Sequence, residues 1–103
     1  MDLETIIQAV NDGRLNITDH ADEELANDNI ENEDLYYSVR NGEIIEDYPD
    51  DFPFPSFLIY GRDSAGRPIH SVWAYSDMEG LAILVTAYVP DPKRWINFRK
   101  RRK

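Results

Sequence analysis

The stretch from Phe57 to Trp95, FLIYGRDSAGRPIHSVWAYSDMEGLAILVTAYVPDPKRW, constrains this chain more than any other. Three runs rich in β-branched and aromatic residues are separated by Asp63-Ser64-Ala65-Gly66 and Asp77-Met78-Glu79-Gly80, the turn chemistry of an antiparallel meander. Strands are expected over about Phe57–Arg62, Pro68–Tyr75 and Leu81–Val89. Along the second, Ile69, Ser71, Trp73 and Tyr75 share one face, and His70, Val72 and Ala74 share the other. The third divides into Leu81, Ile83, Val85, Ala87, Val89 and into Ala82, Leu84, Thr86, Tyr88. Which of its faces joins His70 depends on a register that one residue of slip reverses.

The residues before this stretch read as helices packed on the sheet. Asp2 can cap a first helix whose Leu3, Ile6, Ile7 and Val10 form one apolar stripe, stopped by Asn11-Asp12-Gly13. Leu15-Asn16-Ile17 is a short extended connector. Thr18 or Asp19 caps a second helix through about Asn27, which places His20 in its first turn. Asn32 or Glu31 opens a third over Glu33–Arg40, with Leu35 and Val39 inward and Gly42 just past its end. Glu43–Tyr48 reads as a strand. Pro49, Pro53 and Pro55 then impose a loop, in which Tyr48, Phe52 and Phe54 cover a sheet edge. The expected fold is α+β, one domain over 1–103: helices over about 1–42, an antiparallel sheet of about four strands completed by about residue 92, and a basic tail from about 93.

Composition narrows the chemistry. The absence of cysteine excludes a disulfide framework, a thiolate zinc site and a thiol nucleophile. No cofactor and no metal are expected, since no third ligand stands at a diagnostic interval from His20 and Glu24. No apolar run has the length of a membrane helix, and the first residues lack the basic region of a signal peptide, so a cytoplasmic location is expected. The net charge of -9 is unevenly spread: residues 1–54 hold 16 acids against Arg14 and Arg40, whereas residues 55–103 hold 4 acids against 9 bases. The basic residues from Lys93 to Lys103 could meet phosphates, serve as a solubilising tail, or fold back on the acidic half.

His20 and His70 are of the side-chain type expected, without special tuning, to change charge near neutrality. Glu24 lies one helical turn beyond His20, suitably spaced to orient its ring. Thr86 and Tyr88 precede the Pro90-Asp91-Pro92 break, where side chains of neighbouring elements can meet.

Several segments together resemble a small bacterial family, domain of unknown function 4258: ITDHA (17–21), NIENEDLYYSVRNGEIIEDYPDD (29–51), FLIYGRD, PIHSVWAY and LVTAYVPDPKRW. The resemblance implies a fold like that of the RelE, ParE and HigB toxins, helices against a curved antiparallel sheet, many of which cleave ribosome-bound mRNA. Where that group carries an Arg four residues after the first His, this chain has Glu24. The implied activity is that of a metal-independent endoribonuclease or a degenerate relative of one. His20 or His70 would act as general base or acid on a ribose 2′-hydroxyl, oriented by Glu24 and assisted by Tyr88 and Thr86; Arg99, Arg101 and Arg102 would neutralise the phosphate. The expected partners are RNA and a protein of antitoxin type. The alternative is a non-catalytic module whose acidic helical half binds a basic protein.

Overall fold

The computed structural model describes all of residues 1–103. Helix α1 (Leu3–Asp12) starts where the Asp2 carboxylate accepts from Thr5 N–H and ends at Gly13, in the left-handed conformation (φ 71°) that glycine adopts without a Cβ clash. Strand β1 (Leu15–Ile17) comes next, then helix α2 (Asp19–Asn27), capped by Thr18, whose hydroxyl oxygen accepts from Ala21 N–H at 3.2 Å. Helix α3 (Asn32–Arg40) opens with the Asp34 carboxylate accepting from Glu31 N–H. Strands β2 (Glu43–Tyr48), β3 (Ser56–Arg62), β4 (Pro68–Ser76) and β5 (Leu81–Tyr88) succeed it, and a small hairpin of β6 (Trp95–Ile96) and β7 (Lys100–Arg101) closes the chain.

The main sheet has five strands, not about four, in the order β1-β5-β4-β3-β2. The extra strand is the expected connector: β1 lies parallel to β5, with Leu15 opposite Ala82 and Ile17 opposite Leu84. Local sequence carries little trace of this, because three residues paired across more than 60 positions have no turn to announce them.

The helices cover one sheet face. Ile6, Ala9, Val10, Ala21, Leu25, Leu35 and Val39 meet Phe57, Ile59, Ile69, Trp73, Ala82, Leu84 and Ala87 in the main core. α3 approaches β3 closely at Gly61, where an added Cβ would stand 1.8 Å from the Ser38 carbonyl oxygen, so only glycine fits. The other face carries a smaller cluster of Leu58, Val72 and Trp95, with Ile45, Tyr48 and Val85 beside it.

Two bulges set which side chains point to that second face. Trp73 pairs with Leu84 but Val72 pairs with Thr86, leaving Val85 as the extra residue of β5. The strict alternation expected along β5 therefore fails: Ala87 joins Ala82 and Leu84 in the main core, while Val85, Thr86 and Tyr88 take the opposite side. Ile45 is the corresponding extra residue of β2. Cross-strand partners share a face, so two rows result: Glu43, Tyr60, His70, Tyr88, and beside it Glu46, Leu58, Val72, Thr86.

The Pro-rich loop does not cover the sheet edge with all its rings: Tyr48 packs on the smaller cluster, but Phe52 is 91% exposed. No helix is long and apolar enough to cross a membrane.

Candidate functional site

His70 is the chemical centre of the second face, and it is fully buried. Its ring meets Trp95 edge-on at 4.5 Å between centroids, Tyr88 at 5.3 Å and Tyr60 at 5.8 Å. Nε2 lies 2.6 Å from the Phe98 carbonyl oxygen, and Nδ1 lies 3.3 Å from the Tyr88 hydroxyl. A carbonyl oxygen can only accept, so the neutral ring carries its proton on Nε2, and Nδ1 accepts from Tyr88. Burial pushes His70 below the usual imidazole range, against the opposing pull of the Phe98 carbonyl and Glu46. Burial likewise pushes the Tyr88 phenol up.

The Phe98 carbonyl is aimed by an unusual turn. Asn97 (φ 53°) and Phe98 (φ 60°) are both left-handed, and Arg99 N–H closes the turn on the Ile96 carbonyl at 3.0 Å. Asn adopts this conformation readily, whereas for a bulky residue such as Phe it costs about 1–2 kcal/mol. Two cations pin the hairpin to β2. Arg99 pairs with Glu43, and Arg101 reaches Glu46 through Nε at 2.9 Å and Nη2 at 3.1 Å. Burial alone would raise the Glu46 carboxyl, but hydrogen bonds from Arg101 and Tyr48 outweigh it and hold the group below its usual range. Burial and the bond to Glu46 push Tyr48 up to about 12. The guanidinium of Arg99 lies 4.9 Å over the Tyr60 ring, and that of Arg101 lies 4.6 Å over Trp95.

The expected two-histidine pocket is not assembled. His20 is exposed on α2, whose Ala21 and Leu25 face the main core, while His70 is sealed beneath the hairpin on the other side of the sheet. The i, i+4 spacing of His20 and Glu24 is kept, yet no hydrogen bond joins them; His20 is exposed and Glu24 half-buried. Of the paired residues at the strand end, Tyr88 does meet His70; Thr86 sits one row away, opposite Val72. Arg99 and Arg101 are already engaged by carboxylates, and Arg102 Nε donates to the Pro92 carbonyl at 3.0 Å. The tail thus folds back on the acidic half.

Beside Tyr88 a cleft of about 400 Å³ opens, lined by Val89, Asp91, Arg94, Trp95 and Arg101. The Arg94 guanidinium makes no hydrogen bond or ion pair within the chain. In the sequence Arg94 belongs to a basic run and marks no site, since its position beside Tyr88 comes from the turn at Asp91–Arg94, closed by Arg94 N–H on the Asp91 carbonyl at 2.9 Å. No group of three or more His, Asp or Glu is placed to hold a metal ion.

These features define a small α+β domain with helices on one side of a five-stranded sheet and a buried histidine under a C-terminal hairpin on the other. The chain belongs to the domain of unknown function family DUF4258, whose sequence model matches residues 17–89. That match contains His20, His70, Thr86 and Tyr88, and stops short of the hairpin. No curated protein and no solved structure matches the chain.

Proposed function

We propose that this domain is a RelE-like module that binds single-stranded RNA at the cleft beside Tyr88, and that it does not act as a two-histidine ribonuclease. The observation that carries the reading is Arg94, an uncommitted guanidinium beside a phenol whose hydroxyl is fixed by the buried, neutral His70. A phosphodiester needs such a cation, and Arg101 in the same cleft supplies a second, its Nε and Nη2 engaged by Glu46 but Nη1 still available. The acidic whole does not forbid this, because the helical layer and the hairpin carry opposite charge and surface fields decay over about 8 Å at physiological salt.

The test is fluorescence anisotropy with a labelled 12-nucleotide oligouridylate across a salt series. Affinity should fall with salt, and Arg94→Ala should weaken it about three- to tenfold and flatten the salt slope by roughly 0.7, one phosphate contact. His20→Ala should leave it unchanged. Absence of binding at low salt, or equal affinity of Arg94→Ala and wild type, overturns the proposal. Cleavage of the oligomer that disappears in both His20→Ala and His70→Ala would restore the catalytic reading.

A specific observation also favours the second reading, a module for a basic protein. Between α2 and the start of α3 a groove of about 420 Å³ is floored by Leu25, Ala26 and Ile30, and its Asp22 and Glu33 carboxylates pair with no cation. A pull-down at low and high salt separates the two: recovery of RNA supports the cleft, and a basic protein released by salt supports the groove.

A further inference from the structure

We propose that the sheet face beneath the C-terminal hairpin is itself a nucleobase-stacking site, which the hairpin keeps occupied until RNA displaces it. The proposal rests on the RNA reading above and extends it: Trp95 and Arg101 of the cleft belong to the hairpin, so displacement carries those two walls away and leaves Arg94 and Tyr88 beside the uncovered row.

Three observations lead here. First, β6 and β7 form a sheet of their own, with no ladder to the main sheet; the hydrogen bond from the hairpin backbone to that sheet is the one from His70 Nε2 to the Phe98 carbonyl. The hairpin can leave without breaking a strand pairing. Second, what it covers is an aromatic floor, Tyr60, His70 and Tyr88 in one cross-strand row. Single-stranded RNA is held by such floors, because every base has a π-face. Third, each hairpin contact has a counterpart in RNA. The hairpin already sets planar rings against this row, Trp95 edge-on to His70 and Phe98 6.2 Å from Tyr60 at a tilt of 35°. The Phe98 carbonyl takes the proton of His70 Nε2 as the exocyclic oxygen of a uracil or guanine would. Arg99 and Arg101 lie on carboxylates that a phosphate can replace.

The Arg99–Glu43 tether is of the displaceable kind, whereas Arg101 holds the more buried Glu46 at two points. The Arg99 and Glu43 side chains are about half exposed, and ion pairs of that sort are weak and screened. The left-handed Phe98 adds a conformation that an open hairpin would relax. Trp95, nearly buried, keeps the closed form dominant.

The experiment uses the full chain labelled with 5-fluorotryptophan. It contains two tryptophans, so its fluorine spectrum has one signal from Trp95 and one from Trp73, which is fully buried in the main core. Trp95→Phe assigns them. Titration with the 12-nucleotide oligouridylate should move the Trp95 signal to a solvent-exposed shift in step with binding, leaving Trp73 in place. An abasic oligomer of the same length should move neither. Glu43→Gln/Glu46→Gln, which releases both arginines, should bind RNA at least fivefold more tightly; Glu43→Gln alone serves if the double variant does not fold. RNA that binds while the Trp95 signal stays still overturns the displacement and leaves the cleft reading standing. An abasic oligomer that moves Trp95 equally overturns the base site. Failure of wild type and variants to bind RNA removes both proposals.

Discussion

Trp95→Ala tests whether the C-terminal hairpin is a structural part of the domain or an ornament on it. The side chain is 4% exposed, edge-on to His70 at 4.5 Å and packed with Leu58 and Val72. A tryptophan of this burial removes about 150–250 Å² from water. At about 25 cal/mol per Å² the transfer alone stabilises by roughly 4–6 kcal/mol. Trp→Ala changes in cores cost about 3–5 kcal/mol, part of the loss being regained by collapse around the cavity. Against a total near 5–15 kcal/mol for a domain of this size, that is a large fraction. Urea unfolding followed by far-UV circular dichroism should show the midpoint lowered by the corresponding amount, with Phe52→Ala, at a residue 91% exposed, unchanged within about 0.5 kcal/mol. The same substitution should raise RNA affinity, because the closed form is what RNA must overcome; removing about 3 kcal/mol of closure allows up to about a hundredfold gain. A loss of less than about 1 kcal/mol in Trp95→Ala would refute the packing argument, and weaker RNA binding would refute the cover.

The other predictions concern parts of the fold with separate causes. Because burial depresses His70 in the folded state, the unfolded chain binds more protons around and below about pH 6.5, so stability falls as pH falls through that value. Glu46, held low by its hydrogen bonds, extends the loss into the carboxylate range. Urea midpoints against pH check this; a flat wild-type profile, or one that His70→Gln leaves unaltered, rules it out. Gly61→Ala forces its methyl against the Ser38 carbonyl and should cost at least about 2 kcal/mol by chemical denaturation, since a backbone oxygen cannot rotate aside. Thr18→Ala removes the α2 cap and the hydroxyl bond to the Leu84 carbonyl, for about 1–2 kcal/mol in the same assay.

How much of the fold is legible in the sequence depends on how far each determinant lies along the chain. Asp2, Thr18 and Glu31 announce their helices within three residues, and the two turns around Gly66 and Gly80 fix the meander. Those elements appear where the sequence puts them. β1 is invisible locally because its partner lies more than 60 residues on, and the bulge at Val85 has no residue code beyond an ordinary valine. That bulge decides the site, since without it Ala87 and Tyr88 would exchange faces.

The histidines show the same division. His70 in a strand and Tyr88 at a strand end are readable, and the register left open by the sequence brings them together at 3.3 Å. What closes the site is the hairpin, and its turn places Phe98 in a conformation that composition argues against. The charge asymmetry, by contrast, is plain, and it explains why the hairpin docks where it does. The segment richest in cations lies down on β2, whose Glu43 and Glu46 both face it. Without Glu43 and Glu46 the hairpin would rest chiefly on the packing of Trp95 and on the His70–Phe98 hydrogen bond. On the displacement proposal, a chain that carries its own cations to its own carboxylates sets a threshold, and a ligand offering phosphates and planar rings together is the one expected to cross it.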